Sequence, residues 1–272
     1  MKKLSSEIED TGTCMLIHGK TASGKTAAAI TMDKPILHIN REPKDPREIH
    51  KQLPDWDPSG ITYVEPEGFD DMLEMLSNLA LKAEAGTCRF RSIYHDGLTF
   101  GNTNYKQSVE DDRNEVRKHS KNDADKLGLL IRRFDKEQKD YSVIASMMAR
   151  ETYLLNRISK FGIVVVSTAQ STEYPKWNKS VRIAPSLIGQ EFPKLIHGYF
   201  SYIGYVIQPF HYANENGVVV PKPPKVSFVA KEDDIGESYL ARCSCTRIAE
   251  LEAKGDYAPL HYSKIMRMIR GK

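Results

Sequence analysis

The sequence has few cysteines and no long apolar run. Four cysteines occur among 272 residues, and their uneven spacing is typical of a reducing compartment rather than a disulfide scaffold. The longer apolar runs, such as residues 163–166, have the length of a strand, whereas a membrane span needs roughly 20 residues. Polar residues follow the basic start Met1-Lys2-Lys3, which argues against a signal peptide. We therefore expect a cytoplasmic protein with no membrane contact.

The sequence also lacks a surplus of charge of one sign. Lysine and arginine number 39 against 36 aspartates and glutamates, which gives a formal net charge of +3. This balance excludes the overall basic field of a histone-like DNA binder, although a local basic face remains possible. Hydrophobic residues make up 40% of the chain, enough for one core. We find no internal repeat or low-complexity segment and predict a single domain over residues 1–272.

Short apolar segments alternate with amphipathic ones along the first two thirds of the chain. Helical spacing marks residues 69–85 and 141–160, and strand-like composition marks residues 13–18, 35–40, 61–64, 91–96, 163–167 and 199–207. This alternation predicts an α/β fold with a mainly parallel sheet flanked by helices. Ligands of such sheets bind at the carboxyl ends of the strands.

Two regions exceed a minimal α/β core. Residues 101–140 carry charges of alternating sign, and we favour solvated helices over a dedicated partner site as their interpretation. Residues 211–272 are predicted to form a C-terminal extension. Its parts would be a β-hairpin built from residues 218–230 and 238–245, and a closing helix over residues 258–270.

Residues 19–26 read GKTASGKT and match the phosphate-binding loop G-x-x-x-x-G-K-[ST] at every fixed position. The two glycines let the backbone turn successive N–H groups toward one anion. Lys25 should bridge the β- and γ-phosphates of ATP, and the Thr26 hydroxyl should ligate Mg²⁺. The predicted nucleotide contacts are Gly19, Lys20, Thr21, Ala22, Ser23, Gly24, Lys25 and Thr26. A strand precedes the loop and a helix should start near Lys25, as phosphate binding requires.

Two acids follow predicted strands. Asp96 ends an apolar strand as a Walker-B acid should, and we predict that it holds Mg²⁺ through a water and through Thr26. The alternative is a simple turn at Asp96-Gly97. Gly97 occupies the position where AAA+ ATPases carry a catalytic acid, so a base must come from elsewhere. Glu42, just past the second strand, could orient a water toward the γ-phosphate, and a solvated loop carboxylate is the alternative.

Gln170 lies where the apolar strand over residues 163–167 gives way to polar residues. A glutamine at that place can contact the γ-phosphate and sense its loss. The alternative is a polar strand end without a role in the site.

Together these segments resemble the phage and prophage RecA-like ATPases, nucleotide-binding proteins linked to single-strand annealing and recombination. The resemblance covers about residues 12–210 and rests on LIHGKTASGKT, SIYHDGLT, VVVSTAQSTEY and IAPSLIGQEFPKLIHGYFSYIGYV. The last segment contains Pro185, Leu187 and Gly189 of a Pro-x-Leu-x-Gly pattern. It departs from the family because the strand that follows has no aspartate.

The resemblance implies a RecA-like core, ATP hydrolysis, binding of single-stranded DNA and assembly into a homo-oligomer. It identifies Lys25 and Thr26 as phosphate and Mg²⁺ residues and Asp96 as the Walker-B acid. It further identifies Glu42 as the catalytic glutamate and Gln170 as the sensor. Partners would include phage recombination or single-strand-binding proteins in a bacterial host cell.

The segment YLAR, residues 239–242, is similar to a family strand whose basic residue reaches the γ-phosphate of a neighbouring subunit. The resemblance therefore implies that Arg242 acts as an arginine finger in trans. Cys243 and Ser244 replace the charged pair that usually follows, so a plain surface arginine is the alternative.

The leading hypothesis is a DNA-stimulated ATPase of phage-type recombination or repair. A small-molecule P-loop kinase is a second hypothesis. Such kinases usually carry a lid with paired arginines, which Arg132-Arg133 could only imitate here. A third is a non-catalytic nucleotide switch or loader for a DNA-processing partner.

Overall fold

A computed structural model describes residues 12–53, 56–118, 138–175, 181–187, 191–209, 211–215, 218–230 and 238–271. The strands are β1 (Cys14–Gly19), β2 (Ile36–Asn40), β3 (Ile61–Val64), β4 (Ser92–Asp96), β5 (Val164–Pro175), β6 (Val181–Pro185), β7 (Tyr202–Gln208), β8 (His211–Glu215), β9 (Val218–Lys222), β10 (Lys225–Ser227), β11 (Ser238–Tyr239) and β12 (Ala258–Pro259). The helices are α1 (Lys25–Ala28), α2 (Pro46–His50), α3 (Phe69–Glu84), α4 (Leu98–Lys118), α5 (Gln138–Ser159), α6 (Glu191–Tyr199), α7 (Thr246–Ala253) and α8 (Tyr262–Arg270).

The main sheet has the strand order β12-β10-β7-β1-β5-β4-β2-β3. Its strands from β7 to β3 run parallel, and β10 and β12 join one edge antiparallel. β5 therefore lies between β1 and β4. The prediction of an α/β fold with a mainly parallel sheet flanked by helices is confirmed.

Helices cover both faces of this sheet. Successive side chains of a strand leave opposite faces, so Leu16 and Ile17 of β1 enter different hydrophobic clusters. The Leu16 cluster includes side chains of α3, α5 and α6, and the Ile17 cluster includes side chains of α7 and α8. β1 and β4 are buried along their whole length, as parallel strands between two helical layers must be.

The C-terminal region differs from the prediction. The hairpin is formed by β8 and β9, whereas β10 leaves it and pairs with β7 in the main sheet. β11 pairs with β6, and residues 258–259 form β12 instead of the start of the closing helix. Phe228 and Tyr262 are fully buried. These aromatic side chains complete the second core, so β10, α7 and α8 contribute to the domain core.

The charged region over residues 101–140 is helical where the structure describes it. α4 covers its first part and the start of α5 its last, while residues 119–137, with Arg132 and Arg133, lie outside the described residues. α4 is not simply solvated, because Tyr105 is buried against the core. In the described part of the chain, no helix is long and apolar enough to cross a membrane. All four cysteines are free thiols.

Candidate nucleotide site

The loop between β1 and α1 turns sharply. Ala22 and Gly24 both have positive φ angles, of 59° and 90°. Gly24 suits such a conformation because it has no Cβ, whereas Ala22 adopts it at a cost. A Cβ on Gly24 would also lie 2.7 Å from Pro224 Cγ, in the connection between β9 and β10. Thus the C-terminal part of the core packs directly on the loop.

The helix predicted after the loop is short. α1 has four residues and continues as a 3₁₀ turn over Ala29–Thr31. The Thr31 hydroxyl donates to Ala28 O over 2.6 Å and accepts from Tyr262 N over 2.8 Å, so the start of α8 docks where α1 ends. A single turn adds little dipole to the site. The predicted phosphate binding would therefore depend on the loop N–H groups and on Lys25.

The ammonium of Lys25 is turned back onto the loop. Its Nζ donates to Gly19 O over 3.0 Å, to Lys20 O over 2.9 Å and to Ser23 Oγ over 3.1 Å. Burial lowers the pKa of Lys25, and the carboxylates of Asp96 and Glu42 partly oppose that shift. The predicted phosphate-binding lysine thus lies within electrostatic reach of both predicted acids.

Asp96 is buried at the end of β4 and accepts two hydroxyl hydrogen bonds. Thr26 Oγ1 donates to Asp96 Oδ2 over 2.8 Å, and Thr168 Oγ1 of β5 donates to Asp96 Oδ1. The structure therefore brings the predicted pair Thr26 and Asp96 together and adds Thr168.

These oxygen atoms suit Mg²⁺. Thr26 uses its one hydrogen for Asp96 and keeps oxygen lone pairs for a cation. Mg²⁺ prefers oxygen ligands, often one or two protein groups together with phosphates and waters. His38 Nε2 lies 3.9 Å from Asp96 Oδ2, but burial, with help from His50 and His95, lowers the pKa of His38 to about 3. This imidazole is therefore neutral at pH 7 and does not compete with a cation.

Glu42 lies near the same centre. Asn40, the last residue of β2, holds it from both sides: Glu42 N donates to Asn40 Oδ1 over 3.2 Å, and Asn40 Nδ2 donates to Glu42 O over 3.0 Å. Burial and the neighbouring Asp96 raise the pKa of Glu42 to about 7, against the opposing charge of Lys25. A carboxyl with such a pKa can accept a proton near neutral pH.

Gln170 lies opposite Gly19 in the pairing of β5 with β1. Its backbone N donates to Thr99 Oγ1 over 2.9 Å, and its carbonyl accepts from Ser186 N over 2.7 Å. Thr168 and Gln170 are two positions apart in one strand, so their side chains leave the same face. Gln170 is therefore held at the beginning of the loop, on the face that carries the contact to Asp96.

Arg242 lies away from the loop of its own chain. Its backbone pairs with Ile203 of β7, which is level with Leu16 in the middle of β1. Its exposed guanidinium donates to the carbonyl of His197 near the end of α6. Of the Pro-x-Leu-x-Gly segment, Pro185 ends β6 and Leu187 is buried, while Gly189 lies outside the described residues.

Two contributors to the site were missed at the sequence level. Thr168 contacts Asp96, and Asn40 fixes the backbone of Glu42. Each lies within two positions of a residue that was singled out, and each is polar at the carboxyl end of an apolar strand. Polar residues at the ends of neighbouring parallel strands were therefore the available signal.

Comparison with known proteins identifies no family. No protein-family model matches the chain, and no curated protein matches it. The resemblance to phage RecA-like ATPases stays a prediction.

Proposed function

We propose that this chain binds ATP with Mg²⁺ and hydrolyses it, through a P-loop site in a RecA-like core that acts on single-stranded DNA. The observation that carries the proposal is the hydrogen bond from Thr26 to Asp96, 2.8 Å long. It joins the end of the phosphate-binding loop to an acid at the end of a separate buried strand. This is the pairing that a Mg²⁺-dependent nucleotide site needs.

Phosphate recognition would come from the loop. The backbone N–H groups of residues 20–26 would face the phosphate oxygens, and Gly24 supplies the left-handed turn between them. Lys25 would exchange its three loop acceptors for phosphate oxygens. Burial leaves the charge of Lys25 poorly solvated and so lowers its pKa. An anionic ligand would stabilise that charge.

The cation would be held by Thr26 directly and by Asp96 through water. Mg²⁺, when bound, neutralises charge on the phosphates. Thr168 would keep Asp96 in place, since it donates to the oxygen that Thr26 does not use. Glu42 would accept a proton from the attacking water and orient that water. Gln170 would contact the γ-phosphate from the neighbouring strand.

The strand order supports an ATPase over a small-molecule kinase. β5 separates β1 from β4 and ends its buried part on Gln170, beside Gly19. An additional strand with a polar end gives the site a group that can sense the γ-phosphate. Single-stranded DNA, a homo-oligomer and recombination partners are proposed from the sequence resemblance.

The decisive experiment measures ATP binding by calorimetry and phosphate release with and without single-stranded DNA. Lys25→Ala should abolish binding, because it removes the buried ammonium. Lys20→Ala is the matched control: it keeps the backbone N–H proposed to face the phosphates and removes only a side chain that is 73% exposed and lies 3.7 Å from Glu173. The control should bind ATP as the wild type does.

Three results would separate the alternatives. Equal ATP affinity in Lys25→Ala and the wild type would contradict the nucleotide site itself. Binding without phosphate release would favour a switch or loader, and phosphate transfer to a nucleoside or small acid would favour a kinase. The DNA part of the proposal would be contradicted if single-stranded DNA did not stimulate hydrolysis and the protein did not shift the DNA in a low-salt gel. Low salt favours such binding because phosphate contacts dominate it.

A further inference from the structure

A buried cluster of charged and polar side chains lies behind the two acids of the site. It consists of Arg41, His95, Tyr105 and Glu151, here called the Glu151 cluster. Glu151 of α5 lies 3.6 Å from Arg41 Nη1 and 2.9 Å from His95 Nε2, and it accepts a hydrogen bond from Tyr105. Tyr105 of α4 in turn accepts from Arg41 Nη1 over 3.1 Å.

The cluster is fully removed from water. The side chains of Arg41, His95 and Glu151 are at most 1% exposed. Burial raises the pKa of Glu151, but His95 and Arg41 outweigh that effect and hold the pKa below its ordinary value. Glu151 is therefore a buried carboxylate.

Such a cluster is a poor way to stabilise a core. Burying an ion pair costs several kcal/mol per ion, and apolar side chains of similar volume often do as well or better. Arg41 Nε and Nη2 also find no hydrogen-bond acceptor among the described residues, which adds a desolvation cost. We therefore expect a role of these residues other than stabilising the core.

The positions that Glu151 holds are specific. Arg41 directly precedes Glu42, and His95 directly precedes Asp96. In β4, Ile93 belongs to the same cluster as the side chains of α5. Alternation along the strand then directs His95 toward α5 and Asp96 toward the loop. One carboxylate on α5 therefore anchors the residue before each acid of the proposed site.

The backbone completes this link. Arg41 N donates to Asp96 O, which ties the chain after β2 to the end of β4. Asn40 fixes Glu42 on the other side of Arg41. A backbone hydrogen bond thus joins the segment of Glu42 to the end of β4, and Glu151 contacts the side chains of Arg41 and His95 on the two sides of this link.

We propose that Glu151 is a positioning residue, which sets the separation of Glu42 and Asp96 through Arg41 and His95. The proposal rests on the proposed ATPase function. A group that places a base relative to the metal affects the chemical step more than nucleotide binding, because the loop and Lys25 lie outside the cluster. A misplacement of about 1 Å can cost on the order of 100-fold in rate.

The test compares kcat, the dissociation constant of ATP and the melting temperature in matched variants. Glu151→Gln keeps the shape but removes the charge. The double variant Arg41→Met/Glu151→Leu replaces the pair by apolar side chains of similar size and so protects the fold. Arg157→Gln is the control, because it breaks an exposed ion pair of the same helix, Arg157 to Glu84 at 2.6 Å.

We expect kcat to fall at least about 10-fold in Glu151→Gln and to stay low in the double variant even if its melting temperature recovers. The dissociation constant of ATP should change less than about 3-fold, as expected for a group outside the binding loop. The control should keep the wild-type kcat.

Recovery of kcat together with the melting temperature in the double variant would mean that the cluster is only structural and would overturn the inference. A wild-type kcat in folded Glu151→Gln would also overturn it. A lower rate of ATP hydrolysis that weaker ATP binding explains entirely would do the same. Tyr105→Phe, which removes one hydroxyl from the cluster, gives the same comparison if the first two variants do not fold. A wild type without ATP turnover would instead contradict the proposed function, and the inference with it.

Discussion

Thr26 Oγ1 donates a hydrogen bond to Asp96 Oδ2 over 2.8 Å, although 70 positions separate the two residues along the chain. One residue ends the loop after β1 and the other ends β4, with β5 between these strands. The bond orients the hydroxyl so that its lone pairs remain available. In the proposed site, this bond would fix the position of the cation ligand before nucleotide arrives, which lowers the cost of organising the site.

Thr26→Val should raise the Mg²⁺ concentration needed for half-maximal ATP hydrolysis, by roughly 10- to 100-fold. Valine keeps the volume of threonine but removes the proposed ligand and one of the two hydroxyl partners of Asp96. Thr26→Ser keeps the hydroxyl and should stay close to the wild type. A Mg²⁺ titration of phosphate release measures both, and an unchanged midpoint in the valine variant would contradict the metal site.

Glu42→Gln should lower kcat by about 100-fold or more, the usual range for loss of a general base. The wild type should lose activity as the pH falls through about 7, where burial and Asp96 place the pKa of Glu42. Bound Mg²⁺ favours the carboxylate and would shift this limb to lower pH. The measurement is kcat against pH, and the same limb in Glu42→Gln would show that another group titrates.

The stability of Glu42→Gln provides a second readout with a defined sign. The folded-state pKa, about 7, is above the ordinary value of 4.5. Folding therefore favours the protonated acid, and the wild type loses stability as the pH rises between these values. Glutamine does not ionise, so the variant should melt at a higher temperature than the wild type at pH 8. Melting curves at pH 5 and pH 8 check this.

Gly24→Ala should destabilise the fold and weaken ATP binding. Alanine at a φ of 90° is strained by about 1–2 kcal/mol, and its Cβ would lie 2.7 Å from Pro224 Cγ. Gly86→Ala is the control, because Gly86 has a φ of 67° and nothing within 4 Å of an added Cβ. Denaturant unfolding should show a larger decrease in the free energy of unfolding for Gly24→Ala than for Gly86→Ala. Equal decreases would mean that Pro224 can move away from the added Cβ at little cost.

Arg242→Ala should lose ATP hydrolysis if the arginine reaches a neighbouring subunit. The structure places it level with the middle of β1 of its own chain, a position that favours action in trans over action in cis. Mixing Arg242→Ala with Lys25→Ala would then restore activity, because mixed interfaces pair an intact loop with an intact arginine. Full ATPase activity of the Arg242→Ala variant alone would show that Arg242 is a surface residue without a role in hydrolysis.

The sequence alone located those elements whose pattern covers consecutive residues. The loop over residues 19–26 and the apolar strands β1, β4 and β5 could be located because glycine spacing and continuous apolar runs are local properties. Asp96 and Glu42 were singled out because Asp96 ends β4 and Glu42 lies two residues past the end of β2. Their proximity depends on sheet order, which parallel strands at the carboxyl edge made predictable.

The parts that were missed depend on contacts between distant segments. The two-residue strand β12 and the three-residue strand β10 are too short to show periodicity. They are defined only by the pairing of β10 with β7 and of β12 with β10. The start of α8 docks on Thr31, which ends the 3₁₀ turn after α1, and no local signal of residues 25–31 reveals that contact. In the sequence, Glu151 is indistinguishable from an exposed charged residue of a helix. Only the fold shows that it is buried between Arg41 and His95.

The contact of Pro224 with Gly24 and the bond from Tyr262 to Thr31 also bear on how the protein is made. The latter residues are 231 positions apart, and contacts of such separation form late because a long loop must close first. The loop over residues 19–26 is synthesised early but reaches its packed form only after residues 224 and 262 have left the ribosome. Nascent chains should therefore acquire the proposed ATP affinity only after residue 262 has left the ribosome.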